Sequence, residues 1–345
     1  MKAVSNNKQA SAYTIYDVAK EAGVSPATVS RVLNTPDKVA PEKRKMVQDA
    51  IHRLNFVPKA DAVAKARSSF RKIGVVAPFF TQPSFMQRLR GIANVLAAEH
   101  YELVIYSIDT SEDLSNYIQS LVNTRRVDGL ILLCVHPEED TVKLLKEADF
   151  PVCFVEWECE TFDCVSVPNL LGGQKAAEYL YSHGSRNPGF FGQSSGYSYS
   201  VNATEERFSG FKSYFANQGI NIPPEHIWIS EFTAGNLDEG INKYLEQKYL
   251  PDAVFCSSDV IAAQFMRIAS SKGIKIPSQI MVIGFDNIDI SDYLGLTSIS
   301  QSLEESGSIA ARLVLERIEK GGVSAIKATV PIEIVERDST FNKIS

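Results

Sequence analysis

From residue 72 onward the chain alternates short, almost uninterrupted apolar runs with longer amphipathic stretches, a pattern that few folds accept. The runs are KIGVVAP (72–78), YELVIYSI (101–108), DGLILLCV (128–135), PVCFVE (151–156), NPGFFG (187–192), AVFCSS (253–258) and IMVIGFD (280–286). Helix-like segments separate them, such as SFMQRLRGIANVLAAEH (84–100), EDLSNYIQSLVN (112–123) and NLLGGQKAAEYLYSHG (169–184). Strands apolar on both faces, separated by helices, predict α/β architecture with parallel sheets covered on each side. Seven or more such units exceed one tidy sheet, so two doubly wound subdomains are expected, with a break near Pro168. Ligands of such sheets bind beyond the carboxyl ends of the strands.

Charge divides the chain at a different place. Residues 1–72 hold fourteen Lys/Arg against six Asp/Glu, a balance of +8; the remainder holds 21 against 35, a balance of −14, giving −6 in all. A cationic front on an anionic body points to an anionic partner for the front alone. The front is also patterned. In TIYDVAKEAGVSPATVSRVLN (14–34), Ile15, Val18, Ala19 and Ala22 share one helical face, and Gly23 supplies a turn. Ser25 and Pro26 then open a second helix that buries Val29, Val32 and Leu33 and leaves Ala27, Thr28, Ser30, Arg31 and Asn34 outward. Such a helix pair suits the major groove of DNA: Arg31 can reach guanine O6 and N7, while Ser25, Thr28 and Asn34 can bind phosphates.

No run approaches the ~20 apolar residues that a bilayer-spanning helix needs. The start, MKAVSNNKQASAY, lacks the apolar centre of a secretory signal, so a cytoplasmic location and no membrane partner are expected. Cys134, Cys153, Cys159, Cys164 and Cys256 make an odd set without a CxxC pair, and three lie in apolar runs; buried free thiols are expected. His52, His100, His136, His183 and His226 are scattered, so neither a metal site nor a cofactor is anticipated. There is no GxxxxGK[ST] loop and no GxGxxG after a strand, and the Gly pair of LLGGQ lies in a helix-like run. An enzyme is therefore not expected.

The segments TIYDVAKEAGVSPATVSRVLN, LNFVPKA, VDGLILL, VIGFDN and VERDST resemble the LacI/GalR family of bacterial transcription regulators, from about Thr14 to Thr340. The resemblance implies a helix-turn-helix headpiece, a hinge helix and a core like the periplasmic sugar-binding proteins. It also implies a homodimer on a pseudo-palindromic double-stranded operator, with an effector in the cleft between two core subdomains. On that frame residues 1–13 are a polar tail, 14–58 the headpiece, 59–71 the hinge and 72–345 the core. The N-subdomain takes about 72–168 and 300–330, and the C-subdomain about 169–299 and 331–345. Base reading falls on Pro26, Ala27 and Arg31, and Thr14, Ser25, Thr28, Ser30, Asn34, Lys59 and Lys65 complete the expected DNA contacts. The hinge departs from the family pattern, with Val63 where an Arg is usual and Lys65 where a Leu is. An ammonium is a poorer wedge between base steps than an apolar side chain, so a weaker or displaced DNA kink is expected.

For the effector, polar residues that follow apolar strands are the candidates: Glu156 after PVCFV, Ser258 and Asp259 after AVFC, Asp286 after MVIGF. Each acid can accept from two adjacent sugar hydroxyls, and Arg207 can donate several hydrogen bonds to one ring. The family likeness places Arg207, Asp286, Ser258, Glu156 and Gln301 at effector positions. Phe79, Phe80 and Phe85 of PFFTQPSF offer an apolar wall against a ring. The small-molecule effector implied is a sugar or sugar derivative, with a purine or a protein corepressor as alternatives. SIAARLVLERIEKGG (308–322) reads as an amphipathic helix with Arg312, Arg317 and Lys320 on a solvated face.

Overall fold

The computed structural model describes residues 13–34, 38–54, 56, 70–232, 236–322 and 324–341. The hinge positions Lys59, Val63 and Lys65 lie outside these residues, as does the side chain of Asn34. Two compact units result, Met1–Lys72 and Ile73–Ser345.

Among the described residues the first unit holds three helices, α1 (Ile15–Glu21), α2 (Pro26–Asn34) and α3 (Pro41–Leu54). A capping box opens α1: the Thr14 hydroxyl accepts from the Asp17 backbone N–H, and the Thr14 N–H donates to the Asp17 carboxylate at 2.7 Å. Gly23 makes the turn at φ +64, a conformation that costs other residues more. Ser25 Oγ then accepts the Thr28 N–H at 3.2 Å, which caps α2. The third helix was not anticipated from the pattern. It buries Val47 and Ala50 against Val18, Ala19, Ala22, Val29 and Val32, closing a core that two short helices leave open.

The second unit contains twelve strands among the described residues: β1 (Lys72–Ala77), β2 (Glu102–Ser107), β3 (Gly129–Leu133), β4 (Val152–Val155), β5 (Asp163–Ser166), β6 (Pro188–Ser194), β7 (Ile227–Glu231), β8 (Ala253–Cys256), β9 (Met281–Asp286), β10 (Thr297–Ser300), β11 (Lys327–Thr329) and β12 (Glu333–Val335). They form two six-stranded sheets, in the orders β11-β5-β4-β3-β1-β2 and β12-β10-β9-β8-β6-β7. Pairing is parallel through β1, β3, β4, β5 and β11, and through β7, β6, β8, β9 and β10. Strand β12 joins the second sheet antiparallel to β10. All seven apolar runs became strands. The five strands that the pattern missed are short or carry polar residues, as in DCVS, TSIS and KAT, and their signal is too brief to separate from loop.

The chain passes between the sheets after β5, after β10 and between β11 and β12. The second passage leads into the Leu303–Lys320 helix, which buries Leu303, Ala310, Ala311, Leu313 and Val314. That helix lies close against the Pro83–Ala98 helix. A Cβ on Gly307 would fall 2.1 Å from the Arg88 carbonyl oxygen, and one on Gly91 would fall 1.9 Å from that of Glu304. Arg317 corrects the expectation of a solvated face: its Nε and Nη2 each donate to the Asp163 carboxylate at 2.8 Å. Desolvation of one face of Asp163 is offset by that bidentate pair.

Cys134, Cys153, Cys164 and Cys256 are buried free thiols, and Cys159 is half-buried. Among the described residues no group of His, Cys, Asp and Glu is placed to hold a metal ion, and no helix is long and apolar enough to cross a membrane.

Candidate functional site

The carboxyl ends of the strands converge on a cavity of about 220 Å³. Phe79, Phe85, Glu156, Arg207, Ser258, Asp286 and Gln301 all line it. Phe80 does not, and this corrects the sequence expectation: its half-buried ring packs on the hydrophobic core. Phe79 and Phe80 leave the end of β1 in different directions, so one of the pair serves the cavity and the other the core. Ser258 has a second duty, since its hydroxyl caps the Asp259–Ser271 helix by accepting from the Ile261 N–H.

The residue that organises the floor was not among the sequence candidates. Arg88, on the Pro83–Ala98 helix, is 2% exposed. Its Nε donates to Ser306 Oγ at 3.3 Å and its Nη1 to Cys134 Sγ at 3.0 Å. Its Nη2 donates to Gln301 Oε1 at 2.8 Å and also meets the Glu156 carboxylate. A signal was available: Arg88 falls in the stripe marked by Phe85, Leu89, Ile92 and Leu96, and a guanidinium inside an apolar stripe needs buried acceptors.

Across the floor, Arg207 Nε donates to Asn169 Oδ1 at 2.8 Å and Nη1 to the Ser257 carbonyl at 2.7 Å. The same Nη1 stands 3.9 Å from Asp286 Oδ1, and the guanidinium stacks 3.6 Å above the Phe285 ring. Gln301 Nε2 closes the floor by donating to Asp286 Oδ1. One amide thus bridges an arginine of the first sheet's layer and an acid of the second sheet.

Burial opposes every charge in this group. It pushes Glu156 up, but Arg88 and Arg207 outweigh it and hold that carboxyl below its ordinary value. For Asp286 burial wins over the two arginines, so its carboxyl is raised. Asp259 is raised as well, first by burial and then by the nearby Asp286 charge, although Ser291, Ser298 and the Ile288 N–H all donate to it. Arg88 is drawn up by Cys134, Glu156 and Asp286 despite its burial.

Four non-glycine residues lining the cavity occupy the left-handed region: Phe79 at φ 50, Cys134 at 54, Glu156 at 69 and Asp286 at 115. Such conformations cost about 1–3 kcal/mol each and persist where the surroundings over-determine them. Above the floor, Phe79 has ring centroids of Phe85, Phe232 and Tyr197 at 6.3, 5.5 and 5.7 Å, which makes an aromatic wall.

One enzyme-like pattern was passed over in the sequence: Gly192-Gln193-Ser194-Ser195-Gly196 reads GxSxG. A nucleophile elbow sets its serine on a sharp strand-to-helix turn. Here β6 ends at Ser194 and the next helix begins at Ala203, while Ser194 Oγ donates to the Ser230 carbonyl. The geometry is that of a loop.

In the first unit, Thr14, Ser25, Ala27 and Arg31 are exposed, while Pro26, Thr28 and Ser30 are half-buried. The hydroxyls of Ser25 and Thr28 lie 2.9 Å apart at the start of α2.

Residues 14–59 match the model of the bacterial regulatory proteins of the lacI family, and residues 177–340 match that of a periplasmic binding protein-like domain. The chain is 31% identical to the HTH-type transcriptional repressor PurR of Pasteurella multocida (strain Pm70), over 96% of this chain and 99% of that protein. The chain belongs to the lacI family. As a member, it is a DNA-binding transcriptional regulator under effector control. The crystal structure of the Lac repressor dimer bound to operator and the anti-inducer ONPF shares its fold, with TM-score 0.81, 22% identity, and coverage of 96% of this chain and 99% of that one. A LacI-family regulator from Enterococcus faecium with bound ribose aligns at TM-score 0.67 and 25% identity, over 78% of this chain and 98% of that one. Against the lacI family frame, Arg88 and Glu156 come from the first sheet's layer and Arg207 and Asp286 from the second, so both sides of the cleft present charge.

Proposed function

We propose that this lacI-family chain is a cytoplasmic, homodimeric repressor whose α2 face reads an operator and whose cleft takes a neutral sugar or sugar derivative. The observation that carries the ligand class is the charge balance of the floor. Arg88 faces Glu156 and Arg207 faces Asp286, so each guanidinium already has a carboxylate partner. A phosphorylated or carboxylated effector would meet no uncompensated cation there, and burying its charge would be costly. Hydroxyl groups suit the floor better, because a carboxylate has about four lone-pair sites and retains acceptor capacity after one arginine contact. Phe79 and Phe85 supply the apolar side that a sugar ring's face needs. The relative with bound ribose supports the same class.

On the DNA side, Arg31 serves base reading, and the hydroxyls of Ser25 and Thr28 serve phosphate contact at the start of α2, where the helix dipole also favours an anion. Thr14, Pro26, Ala27 and Ser30 complete the face within the described residues.

Thermal unfolding of the purified chain tests the effector class. The probes are D-glucose, D-xylose, D-ribose, cellobiose, glucose 6-phosphate, hypoxanthine and guanine. At least one neutral sugar should raise the midpoint, since a ligand bound only to the folded state stabilises it in proportion to ln(1 + [L]/Kd). Asp286→Ala should lose that rise. A rise with hypoxanthine or guanine alone, or with glucose 6-phosphate alone, would replace this reading.

A further inference from the structure

We propose that loop 195–202 is a latch: it seats Tyr199 in the core of the opposite lobe and so holds the two lobes closed on the side away from their covalent crossings. The latch acts on the empty cleft and does not depend on the class of the effector.

The crossings lie at one side of both sheets. They involve β5, β10, β11 and β12, which take the first two places in the two strand orders, whereas β6 is next to the opposite edge of its sheet. Strand β6 ends at Ser194 and the following helix starts at Ala203, so loop 195–202 belongs to the second sheet's lobe at both ends. Hinged lobes separate most where they are furthest from the hinge, and a tie placed there resists opening with the longest lever.

The loop nonetheless pairs with the first sheet's lobe. Val135 and Ser200 form an isolated antiparallel bridge, and the His136 N–H donates to the Tyr199 carbonyl at 2.6 Å. The Tyr199 side chain is buried in the cluster that holds Val76, Leu132, Val135 and Phe154. Among the described residues, every other buried member of that cluster lies between Val76 and Cys164. Tyr199 is thus a core residue that one lobe lends to the other. Tyr197 extends the contact: its ring stacks on Tyr199 at 5.3 Å and meets Phe79, which follows β1, at 5.7 Å. By comparison, the ties from Gln87 and Arg90 to Asp289 are exposed and contribute little.

The seating of Tyr199 is close to balanced. Burial of the ring favours the closed arrangement, but the hydroxyl enters the core without a hydrogen-bond partner. Buried tyrosine hydroxyls usually find one, and leaving the bond unmade costs about as much as burial of the ring contributes. In water the hydroxyl recovers its hydrogen bonds, so release of the loop costs less than the depth of burial suggests. A fully satisfied latch would freeze the cleft. This one lets the lobes exchange between closed and open, and an effector then shifts a population already present.

Hydrogen exchange of the full chain with no effector added, read by peptide mass spectrometry, tests the latch apart from the sugar reading. The His136 amide is protected through its bond to Tyr199, and Pro137 beside it carries no amide of its own. Tyr199→Phe keeps the ring and deletes the unpaired hydroxyl, so exchange at His136 should slow about tenfold. Tyr199→Ser deletes the ring, and exchange there should quicken about tenfold or more. Residues 129–133 of β3 should keep wild-type protection in both. Exchange at His136 within threefold of wild type in either variant, or faster in Tyr199→Phe, overturns the latch. If Tyr199→Ser loosens 129–133 as much as His136, Tyr199→Phe decides alone: slowing confined to His136 upholds the latch, and any other result overturns it. Small-angle scattering separates open lobes from a loop that has merely come loose. A folded Tyr199→Ser should have a larger radius of gyration than wild type, and an equal radius overturns the role in closure.

Discussion

Arg88 Nη2 donates to Gln301 Oε1 at 2.8 Å, although the two residues stand 213 positions apart in the chain. Because the Gln301 amide also donates to Asp286, the passage after β10 is tied to both sides of the cleft floor. Replacing Gln301 by Leu leaves a buried guanidinium and a buried carboxyl each one partner short. Loss of such a bond costs about 1–3 kcal/mol, more when the group is charged. Urea denaturation of Gln301→Leu should show a lower midpoint, with the unfolding free energy reduced by that amount; a midpoint equal to wild type would mean that the amide bridge adds nothing.

Gly307 offers a second check on the same region. Its Cβ position is 2.1 Å from the Arg88 carbonyl oxygen, and backbone on both sides has little room to yield. Gly307→Ala should force the two helices apart and destabilise the core by about 1–3 kcal/mol, as overpacking does. The intrinsic helix preference of Ala over Gly opposes this by about 1 kcal/mol, so a net gain in stability would show that the helices can separate freely.

The raised carboxyls give the core a pH dependence of known sign. Asp286 and Asp259 are both held above their ordinary value of 3.8, chiefly by burial. The folded state therefore binds protons that the unfolded chain has released. Their stabilising contribution is full below 3.8 and is lost as pH rises through the folded values. Asp286→Asn removes one of these groups and the charge that helps raise the other. Its melting midpoint should fall less steeply than that of wild type between about pH 5 and about pH 8. Parallel slopes would contradict the assignment.

For the headpiece, Arg31→Ala should relax preference at one base pair of the operator by about 1–3 kcal/mol, with little change elsewhere. Binding measured on operators varied singly at each position separates the outcomes: equal weakening on every sequence would make Arg31 a phosphate contact. The logarithm of wild-type affinity should also fall linearly with the logarithm of salt concentration, by about 0.9 per phosphate contacted. A flat salt response would exclude phosphate as the main partner of the +8 front end.

Much of the candidate site was legible in residue order. Glu156 and Asp286 follow or end apolar strands, and strand ends in doubly wound sheets face ligands, whereas Gln301 follows the polar strand β10 and was reached only through the family likeness. Arg88 was hidden because it sits within a helix whose pattern otherwise describes core. Phe80 was misplaced because consecutive aromatics after a strand look alike until the turn decides which ring faces the cavity. Arg317 was read as solvated from its helical position, yet its partner Asp163 lies 154 residues away.

Sequence alone determined the two sheets, the helix pair around Gly23 and the cationic front end, since periodicity, turn residues and local charge are properties of neighbours in the chain. Tertiary structure decided which charges are buried together. Glu156 and Arg88 are separated by 68 positions, and Gln301 and Asp286 by 15. No local pattern carries such distances: the energy of a buried charge depends on partners that only the folded sheets bring within hydrogen-bond reach.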